Sequence, residues 1–360
     1  MRILLISGGH PSNAPYIQYY TYALEKLDCQ YDVVYWNRGN ISRIESKNYY
    51  EFKNECNHNC SLIKKIWQHY EFHRFVRKHI NKRNYNGIIL FTLQAIPFYY
   101  DLLLGKFRYK FILDIRDYSK SYGNTIIKRI VNRCLNLSFA NCISSPGFKH
   151  WLPQNLEYII SHNIHQKQVL DGTLTPFKNR ENNIVKVLTI GQIRDVCENY
   201  QIIKSLSNSS QISLTFIGFG KGIEELKQHC LADGVKNTFF KGRYEKKDEN
   251  AIVDQYDMIN AYMPDNVLSR YLMSNRIYLS LLLAKPIIVS ANSTQADYVS
   301  MYNLGIVIND PNNLEDAINL YWDNFDKDIY NEGRLDFLKE IIADMEKFDN
   351  TIKSFTSKVK

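Results

Sequence analysis

Short apolar runs alternate along the chain with longer stretches in which apolar residues recur at helical spacing. Six of these runs lie before residue 161 and are expected to be buried strands: 3–7, 33–36, 88–92, 111–115, 142–145 and 158–160. Six more lie in the second half: 185–190, 212–218, 238–241, 257–263, 286–290 and 305–308. Strands that alternate with helices are typical of parallel sheets with crossover helices. The pattern therefore predicts an α/β protein with two doubly wound, Rossmann-like domains.

Polar residues separate the two series of strands. The stretch 165–183 is rich in Asn and Lys and contains glycine and proline, which indicates a linker between a domain at 1–164 and a domain at 184–331. The last stretch, 332–360, has helical periodicity and no strand after it, so we expect it to pack back on the first domain. Ligands in open α/β sheets bind beyond the carboxyl ends of the strands. Two domains that face each other across a cleft would therefore carry their functional residues in the loops after strands.

The net charge of +8 is distributed unevenly. Residues 1–160 carry 22 Lys and Arg against 11 Asp and Glu, or +11, whereas residues 161–360 carry 23 against 26, or −3. In the basic half, 61–83 predicts a basic amphipathic helix with Trp and Tyr, which suits an anionic membrane surface. The alternative is an ordinary helix that packs on the first sheet. No recognition helix or RNA-binding motif is present, so we expect no nucleic-acid partner.

No apolar stretch approaches the roughly 20 residues of a membrane-spanning helix. We therefore expect a cytoplasmic protein that associates peripherally with the inner face of the cell membrane. The seven cysteines are scattered, which fits free thiols. Cys56 and Cys60 flank His58, but no second ligand pair at zinc-finger spacing follows, and we expect no metal.

Two loops of the first domain carry candidate residues. The first predicted strand ends in Gly8 and Gly9, which allow backbone N–H groups to approach a phosphate, and the alternative is a plain tight turn. The strand at 111–115 runs into Arg116 and Asp117. A carboxylate at this place can orient an acceptor hydroxyl or take its proton. The alternative is an Arg–Asp pair that holds the loop.

Arginines and glycines follow the strands of the second domain. Arg194, three residues after a strand glycine, can bind a diphosphate through two parallel N–H groups. Gly218 and Gly220 suit the close approach of a nucleotide, and Arg243 and Tyr244 stand where a base can be held.

The stretch 274–290 places Asn275 and Arg276 in the first turn of a helix that Ser274 is expected to cap. A cation in the first turn opposes the helix dipole, a small cost that an anion bound there would reverse. A solvated arginine is the alternative, and the pattern shared with Arg194 favours the anion site.

In this order, these stretches resemble the GT-B glycosyltransferases, especially the family 4-like enzymes that assemble bacterial capsule, exopolysaccharide and lipopolysaccharide. The matching segments cover most of the chain: ILLISGGHPSNAPYIQYYTYAL, KFILDIRDYS, ANCISSPGF, VLTIGQIRD, LTFIGFGKGIEEL, FFKGRY, SNRIYLSLLLAKPIIVS and ADYVSMYNLGIVI. The resemblance implies a nucleotide-diphosphate sugar bound mainly by the second domain and an acceptor bound by the first.

The resemblance also implies roles for individual residues. Gly8 and Gly9 match the loop that approaches the phosphate, and Asp117 matches a His-Asp position near the reacting sugar. Arg194 and Arg276 match basic residues that bind the diphosphate. No metal or other cofactor is implied, because arginines and helix N-termini neutralise the leaving diphosphate.

Several positions bear on the chemistry within this resemblance. Two family glutamates correspond to Tyr271 and Leu279, and a second cation that commonly follows the Arg194 position corresponds to Asn199. His10 stands where some inverting GT-B families keep a catalytic histidine. The residues after His10 are more similar to the loop of the retaining family 4 enzymes, and we expect retention.

The sequence therefore predicts a glycosyltransferase of the hexosyltransferase type, which uses a nucleotide sugar and a lipid-linked glycan acceptor in bacterial surface-polysaccharide synthesis. One alternative is a GT-B protein that binds nucleotide sugar without catalysis, as the missing glutamates suggest. The other is a GT-B-fold sugar-nucleotide epimerase, which would need no lipid acceptor.

Overall fold

Two parallel sheets organise the described part of the chain, which comprises residues 1–39, 41–55, 61–164, 169, 174–180 and 183–360 of a computed structural model. The chain divides into two units. Unit 1 contains Met1–His162 and Ala343–Lys360, and unit 2 contains Asn163–Ile342. Much of the predicted linker at 165–183 lies outside the described residues, as do Cys56, His58 and Cys60.

Unit 1 is built on a seven-stranded parallel sheet. Its strands are β1 Arg2–Ser7, β2 Gln30–Asn37, β3 Tyr49–Lys53, β4 Gly87–Phe91, β5 Phe111–Ile115, β6 Ala140–Ile143 and β7 Ile159–Ile160. They are arranged in the order β3-β2-β1-β4-β5-β6-β7. The accompanying helices are α1 Ile17–Lys26, α2 Leu62–Lys82, α3 Tyr100–Leu104 and α4 Thr125–Leu137. All six strands predicted in this half are confirmed, and β3 was missed because it lies half-buried at the sheet edge and forms no apolar run.

Unit 2 is built on a six-stranded parallel sheet. Its strands are β8 Val185–Gln192, β9 Ile212–Phe219, β10 Thr238–Lys241, β11 Met258–Ala261, β12 Ile287–Ser290 and β13 Gly305–Ile308. They are arranged in the order β10-β9-β8-β11-β12-β13. The helices are α5 Val196–Leu206, α6 Gly222–Ala232, α7 Glu249–Val253, α8 Val267–Arg270, α9 Asn275–Leu283, α10 Thr294–Met301 and α11 Leu314–Asp323. All six predicted strands are confirmed, and this order brings the carboxyl ends of β9, β8 and β11 side by side.

The last helix, α12 (Lys327–Val359), begins in unit 2, and its residues from Ala343 onward belong to unit 1. Four of its apolar residues in that part are buried in the core of unit 1: Phe348, Ile352, Phe355 and Val359. The Phe348 ring meets the edge of Tyr20 of α1 at a centroid distance of 4.8 Å. The predicted return of the C-terminal segment to the first domain is confirmed, although the helix starts at Lys327 rather than at residue 332.

Helix α2 forms where the sequence predicts a helix. The Ser61 hydroxyl accepts a hydrogen bond from the Lys64 N–H and begins the helix. The inward face of α2 carries Phe72, Val76 and Ile80, which are fully buried in unit 1. This face of α2 therefore packs in unit 1, as expected of an ordinary helix. The opposite face of α2 is exposed and is described below.

The inward face of α2 also carries a buried histidine. The Nδ1 atom of His73 lies 2.6 Å from the Tyr99 hydroxyl, and its ring stacks on Phe98 at 3.9 Å. Burial, followed by the charges of His69 and nearby arginines, lowers the pKa of His73 from 6.5 to about 3. The folded protein therefore keeps His73 neutral at pH values at which the unfolded chain protonates it.

This difference in proton binding predicts acid sensitivity. Because the unfolded chain binds more protons between about pH 3 and 6.5, the free energy of unfolding rises with pH in this window. Lowering the pH from 7 to 5 is expected to cost about 2 kcal/mol at this residue. The measurement is the midpoint of urea unfolding at both pH values. His73→Gln should flatten the dependence; the same slope in wild type and His73→Gln would contradict the prediction.

Candidate functional site

Arg276 lies at the centre of the polar cluster at the carboxyl edge of the unit 2 sheet. It belongs to the first turn of α9, and its Nε donates to the carbonyl of Ile190 at 2.9 Å. Longer bonds from Nη1 and Nη2 reach the carbonyls of Asn260, at 3.3 Å, and Gln192, at 3.5 Å. The guanidinium thus joins the ends of β8 and β11.

The charge of Arg276 has no carboxylate bound to it among the described residues. Its hydrogen bonds go to backbone carbonyls, which carry only partial charges. Burial lowers the pKa of Arg276 to about 10, against the opposing influence of Asp195 and Tyr244, and Arg194 lowers it further. A half-buried cation without a full counter-charge carries a desolvation cost, and a bound anion would offset that cost.

Arg194 supplies a second cation at the same edge. It follows β8 directly, is exposed, and forms no hydrogen bond or ion pair with any residue that the structure describes. Arg276 Nη2 donates to the carbonyl of Gln192, two residues before Arg194, at 3.5 Å, so both arginines lie at the end of β8. The structure therefore brings together the two arginines that the sequence proposed for a diphosphate.

The first turn of α9 is also suited to bind an anion. Ser274 occupies the N-cap position as predicted, but its side chain makes no capping bond. Its hydroxyl donates instead to Oε1 of the buried Gln295 at 2.6 Å, and its backbone N–H donates to the same atom at 3.2 Å. The exposed Asn275 accepts from Asn163 Nδ2 at 2.5 Å. The N-terminal amides of α9 therefore keep the anion preference of an uncapped helix N-terminus.

Gly218 and Gly220 have a packing role. Their φ angles are +148° and +154°, in a region that favours glycine. A Cβ atom at Gly218 would lie 1.9 Å from the Gly191 carbonyl oxygen, and one at Gly220 would lie 1.8 Å from that of Ile193. The close approach of Gly191 and Ile193, at the end of β8, thus requires glycine at both positions, and the nucleotide contact that the sequence suggested stays a prediction.

Arg243 and Tyr244 follow β10. The exposed Arg243 guanidinium lies over the Phe219 ring at 4.7 Å. The Tyr244 hydroxyl donates to Oε1 of the buried Glu249 at 2.6 Å, and burial together with this carboxylate raises the pKa of Tyr244. The charge of Arg276 acts against that rise.

In unit 1, His10 follows Gly8 and Gly9 at the end of β1. Both glycines are half-buried, and the Ser7 hydroxyl is hydrogen-bonded to the Gly9 backbone. His10 is buried, and its Nδ1 accepts the Ser12 N–H at 3.2 Å. Its Nε2 is enclosed and has no partner among the described residues. His10 thus holds its own loop and presents neither ring nitrogen to solvent.

Arg116 is buried and joined to Asp114, two residues earlier on β5. Its Nη2 donates to Asp114 Oδ2 at 2.6 Å and to Ser161 Oγ at 2.8 Å, and Nη1 donates to the Ser161 carbonyl at 3.0 Å. Burial would lower the pKa of Arg116, but the charge of Asp114 outweighs it and raises the pKa. The pair that holds this loop is therefore Arg116–Asp114, and Asp117 is exposed at the carboxyl end of β5.

Sequence reasoning missed the partners of these arginines. Asp114 and Asn260 are polar residues inside strand runs, FILDI and MINA, and this interruption was the available signal. Ser161, a partner of Arg116, and Gln295, the partner of Ser274, gave no signal in the sequence. At the positions of the family glutamates, Tyr271 and Leu279 are half-buried, and Asn199 donates to the Asp195 carbonyl at 2.7 Å.

No protein-family model matches the sequence, and a comparison with curated proteins also gave no match. Solved structures do match over nearly the whole chain. Sucrose-phosphate synthase from Thermosynechococcus elongatus aligns with a TM-score of 0.71 at 12% identity, covering 99% of both chains. HepE from Anabaena, solved in complex with UDP, aligns at 0.69 and 12%, covering 98% of this chain and 100% of its own. The fold is GT-B.

A third neighbour is the lipopolysaccharide outer core galactosyltransferase WaaB, with a TM-score of 0.67, 12% identity and coverage of 98% of this chain and 99% of its own. At these identities the likeness concerns the fold alone, so the expected GT-B architecture is confirmed. In the described residues, no group of three or more His, Cys, Asp or Glu is arranged to hold a metal ion. None of the described helices combines the length and apolarity needed to cross a membrane.

Proposed function

We propose that the protein is a glycosyltransferase that uses a nucleoside-diphosphate sugar as its donor. The observation that carries the proposal is Arg276: a half-buried guanidinium whose hydrogen-bond partners among the described residues are backbone carbonyls, at an uncapped helix N-terminus and at the same strand end as Arg194. A diphosphate supplies the negative charge that this arrangement lacks. The solved neighbours support the choice of donor, because HepE was solved with UDP-glucose and WaaB is a galactosyltransferase.

The two arginines act on the leaving diphosphate. When the bond between the sugar C1 and the diphosphate oxygen breaks, negative charge builds up on that oxygen, and fixed cations lower the barrier. Arg276 is held by three carbonyls and needs no reorientation. Arg194 is exposed and closes on the outer phosphate oxygens. This electrostatic role requires no metal, and we propose that none takes part.

We assign the binding and orientation of the acceptor to unit 1. We assign Asp117, exposed at the carboxyl end of β5, to orienting the acceptor hydroxyl, with Arg116 and Asp114 as positioning residues beneath it. Gly8 and Gly9 supply backbone N–H groups at the end of β1. His10 holds the β1 loop, because its Nδ1 is occupied and its Nε2 is enclosed. The resemblance to family 4 then favours retention, with the leaving diphosphate taking part in proton removal.

We further propose that the acceptor is a lipid-linked glycan and that a hexose-type sugar is transferred in bacterial capsule, exopolysaccharide or lipopolysaccharide synthesis. The resemblance to family 4 enzymes and the +11 charge of residues 1–160 support this choice. A basic acceptor unit suits anionic lipid at the inner face of the cell membrane. Gly218 and Gly220 shape the donor loop, and Arg243, Tyr244 and Asn275 border the nucleotide.

The test is turnover of a panel of UDP-, GDP- and dTDP-hexoses with and without bacterial membrane lipid extract, followed by release of the nucleoside diphosphate. We expect release that depends on the extract, with the sugar recovered in the lipid fraction. Binding without release under every condition would replace the proposal with an inactive nucleotide-sugar-binding protein. Conversion of one sugar nucleotide into another without extract would replace it with an epimerase.

A further inference from the structure

The outward face of α2 is apolar in its first half and basic in its second. We use outward face for these residues: Ile63, Ile66, Trp67, Tyr70, Arg74 and Lys78. Ile63 is 82% exposed, Ile66 59%, Trp67 60% and Tyr70 50%. They recur at intervals of three and four residues and so form one stripe. Four large apolar side chains on one exposed stripe mark an interaction surface rather than ordinary solvent exposure.

The apolar stripe is not needed for the fold of α2. The residues that anchor the helix are Phe72, Val76 and Ile80 on the opposite side, and each is fully buried. Trp67 and Tyr70 contact each other, with ring centroids 5.6 Å apart. Trp and Tyr are favoured where an apolar environment meets water, since their rings carry a polar group.

Unpaired cations accompany this stripe. Lys64, Arg74 and Lys78 are exposed, and none forms a hydrogen bond or ion pair through its side chain with a residue that the structure describes. Arg77, by contrast, is paired with Asp101 at 2.5 Å. The surface around the apolar stripe is therefore positive, in agreement with the +11 charge of residues 1–160.

We propose that the outward face of α2 docks unit 1 onto an anionic lipid bilayer, with Ile63, Ile66 and Trp67 at the level of the lipid headgroups and the cations on their phosphates. This inference rests on the proposed function, whose lipid-linked acceptor requires the enzyme at a bilayer. Charge complementarity decides the occupant: a second copy would bring the same unpaired cations face to face, whereas an anionic lipid surface neutralises them.

The test is sedimentation of the full chain with phosphatidylcholine vesicles and with vesicles that also contain phosphatidylglycerol. We expect binding only to the anionic vesicles. Ile66→Ser/Trp67→Ser should weaken it at least about tenfold, since apolar burial is lost. Arg74→Gln/Lys78→Gln should weaken it about 30-fold at low salt, by the loss of two lipid contacts. The matched control is Ile126→Ser/Leu231→Ser, which removes two exposed apolar side chains from α4 and α6 and should change nothing.

Equal binding to neutral vesicles, no binding to either kind, or unchanged binding of both outward-face variants would overturn the inference. So would a wild-type dimer that Ile66→Ser/Trp67→Ser converts to a monomer, because the stripe would then bind a second copy. Binding of nucleoside diphosphate is measured on the same samples. Lost membrane binding with intact nucleotide binding separates this surface from the donor site, and the reverse result indicates failure of the proposed function alone.

Discussion

Arg276→Met is expected to weaken binding of the preferred nucleoside diphosphate by about 10- to 150-fold, which corresponds to about 1.5–3 kcal/mol for the loss of a charge-assisted contact. The reason lies in the geometry: the guanidinium is held on the carbonyls of Ile190 and Asn260, so its charge is aimed before the ligand arrives. A side chain that is already held in place loses little conformational entropy when the ligand binds. The measurement is isothermal titration calorimetry of wild type and variant.

The same substitution is expected to have only a small effect on the fold. Arg276 is only half-buried, so water can reach the carbonyls that methionine leaves, and methionine also removes a charge whose desolvation lowers the pKa of Arg276 to about 10. These contributions oppose each other, and we expect the free energy of unfolding without ligand to change by less than about 1 kcal/mol. Loss of nucleotide binding with an unchanged melting temperature is the signature of a binding residue.

Lys227→Met is the matched control for Arg276→Met. It removes one positive charge from an exposed position on α6, where Lys227 pairs only with Glu224 at 2.8 Å. Nucleotide affinity should stay at the wild-type value. If both variants lose affinity equally, general electrostatic attraction and not the Arg276 site holds the ligand.

Arg334→Met is expected to destabilise unit 2 by about 3 kcal/mol or more, because several buried carbonyls lose their donor. Arg334 is 2% exposed. Its Nε donates to the Leu281 carbonyl at 2.9 Å, and Nη2 donates to the carbonyls of Thr175, at 2.9 Å, and Leu282, at 3.4 Å. Helix α12 thus supplies a cation to the last turn of α9, where the helix dipole favours it.

The measurement for Arg334→Met is the melting temperature of the full chain, which should fall by about 6–12 °C. Lys339→Met on the same helix is the control, since Lys339 is exposed and pairs only with Asp336 at 2.8 Å. An exposed pair contributes little, so the control should stay within about 0.5 kcal/mol of wild type. A melting temperature for Arg334→Met equal to that of the control would show that its hydrogen bonds do not stabilise the fold.

The strands were readable from the sequence because parallel strands buried on both faces appear as continuous apolar runs. Strand β3 was not predicted, because Tyr49–Lys53 is an edge strand with mostly half-buried residues and forms no continuous apolar run. One cap was readable too: Ser274 occupies the N-cap position that was expected of it. The bonds of Ser274 were not readable, because Gln295 lies 21 residues away and nothing local marks it as the partner.

The position of the candidate site could be predicted from the sequence, but the hydrogen-bond and ion-pair partners of its residues could not. Arginines placed after strands could be assigned to the carboxyl edge of a sheet, and Arg276 does reach the carbonyl of Gln192 there, two residues before Arg194. The partners of Arg276 are backbone carbonyls, which every residue possesses, so residue types gave no indication of them. At Arg116 the sequence suggested a pair with Asp117, and the buried pair is with Asp114. Only the sheet geometry decides which carboxylate faces inward.

The proposed function requires a diphosphate to bind at the carboxyl edge of unit 2, and calorimetric titration of the wild-type chain measures this binding. UDP, GDP and dTDP are titrated first, and the tightest of them is then compared with its own nucleoside. We expect that removing the diphosphate weakens binding by at least about tenfold, the value of one charge-assisted contact. Equal affinity for the diphosphate and its nucleoside, or no binding of any diphosphate, would contradict it.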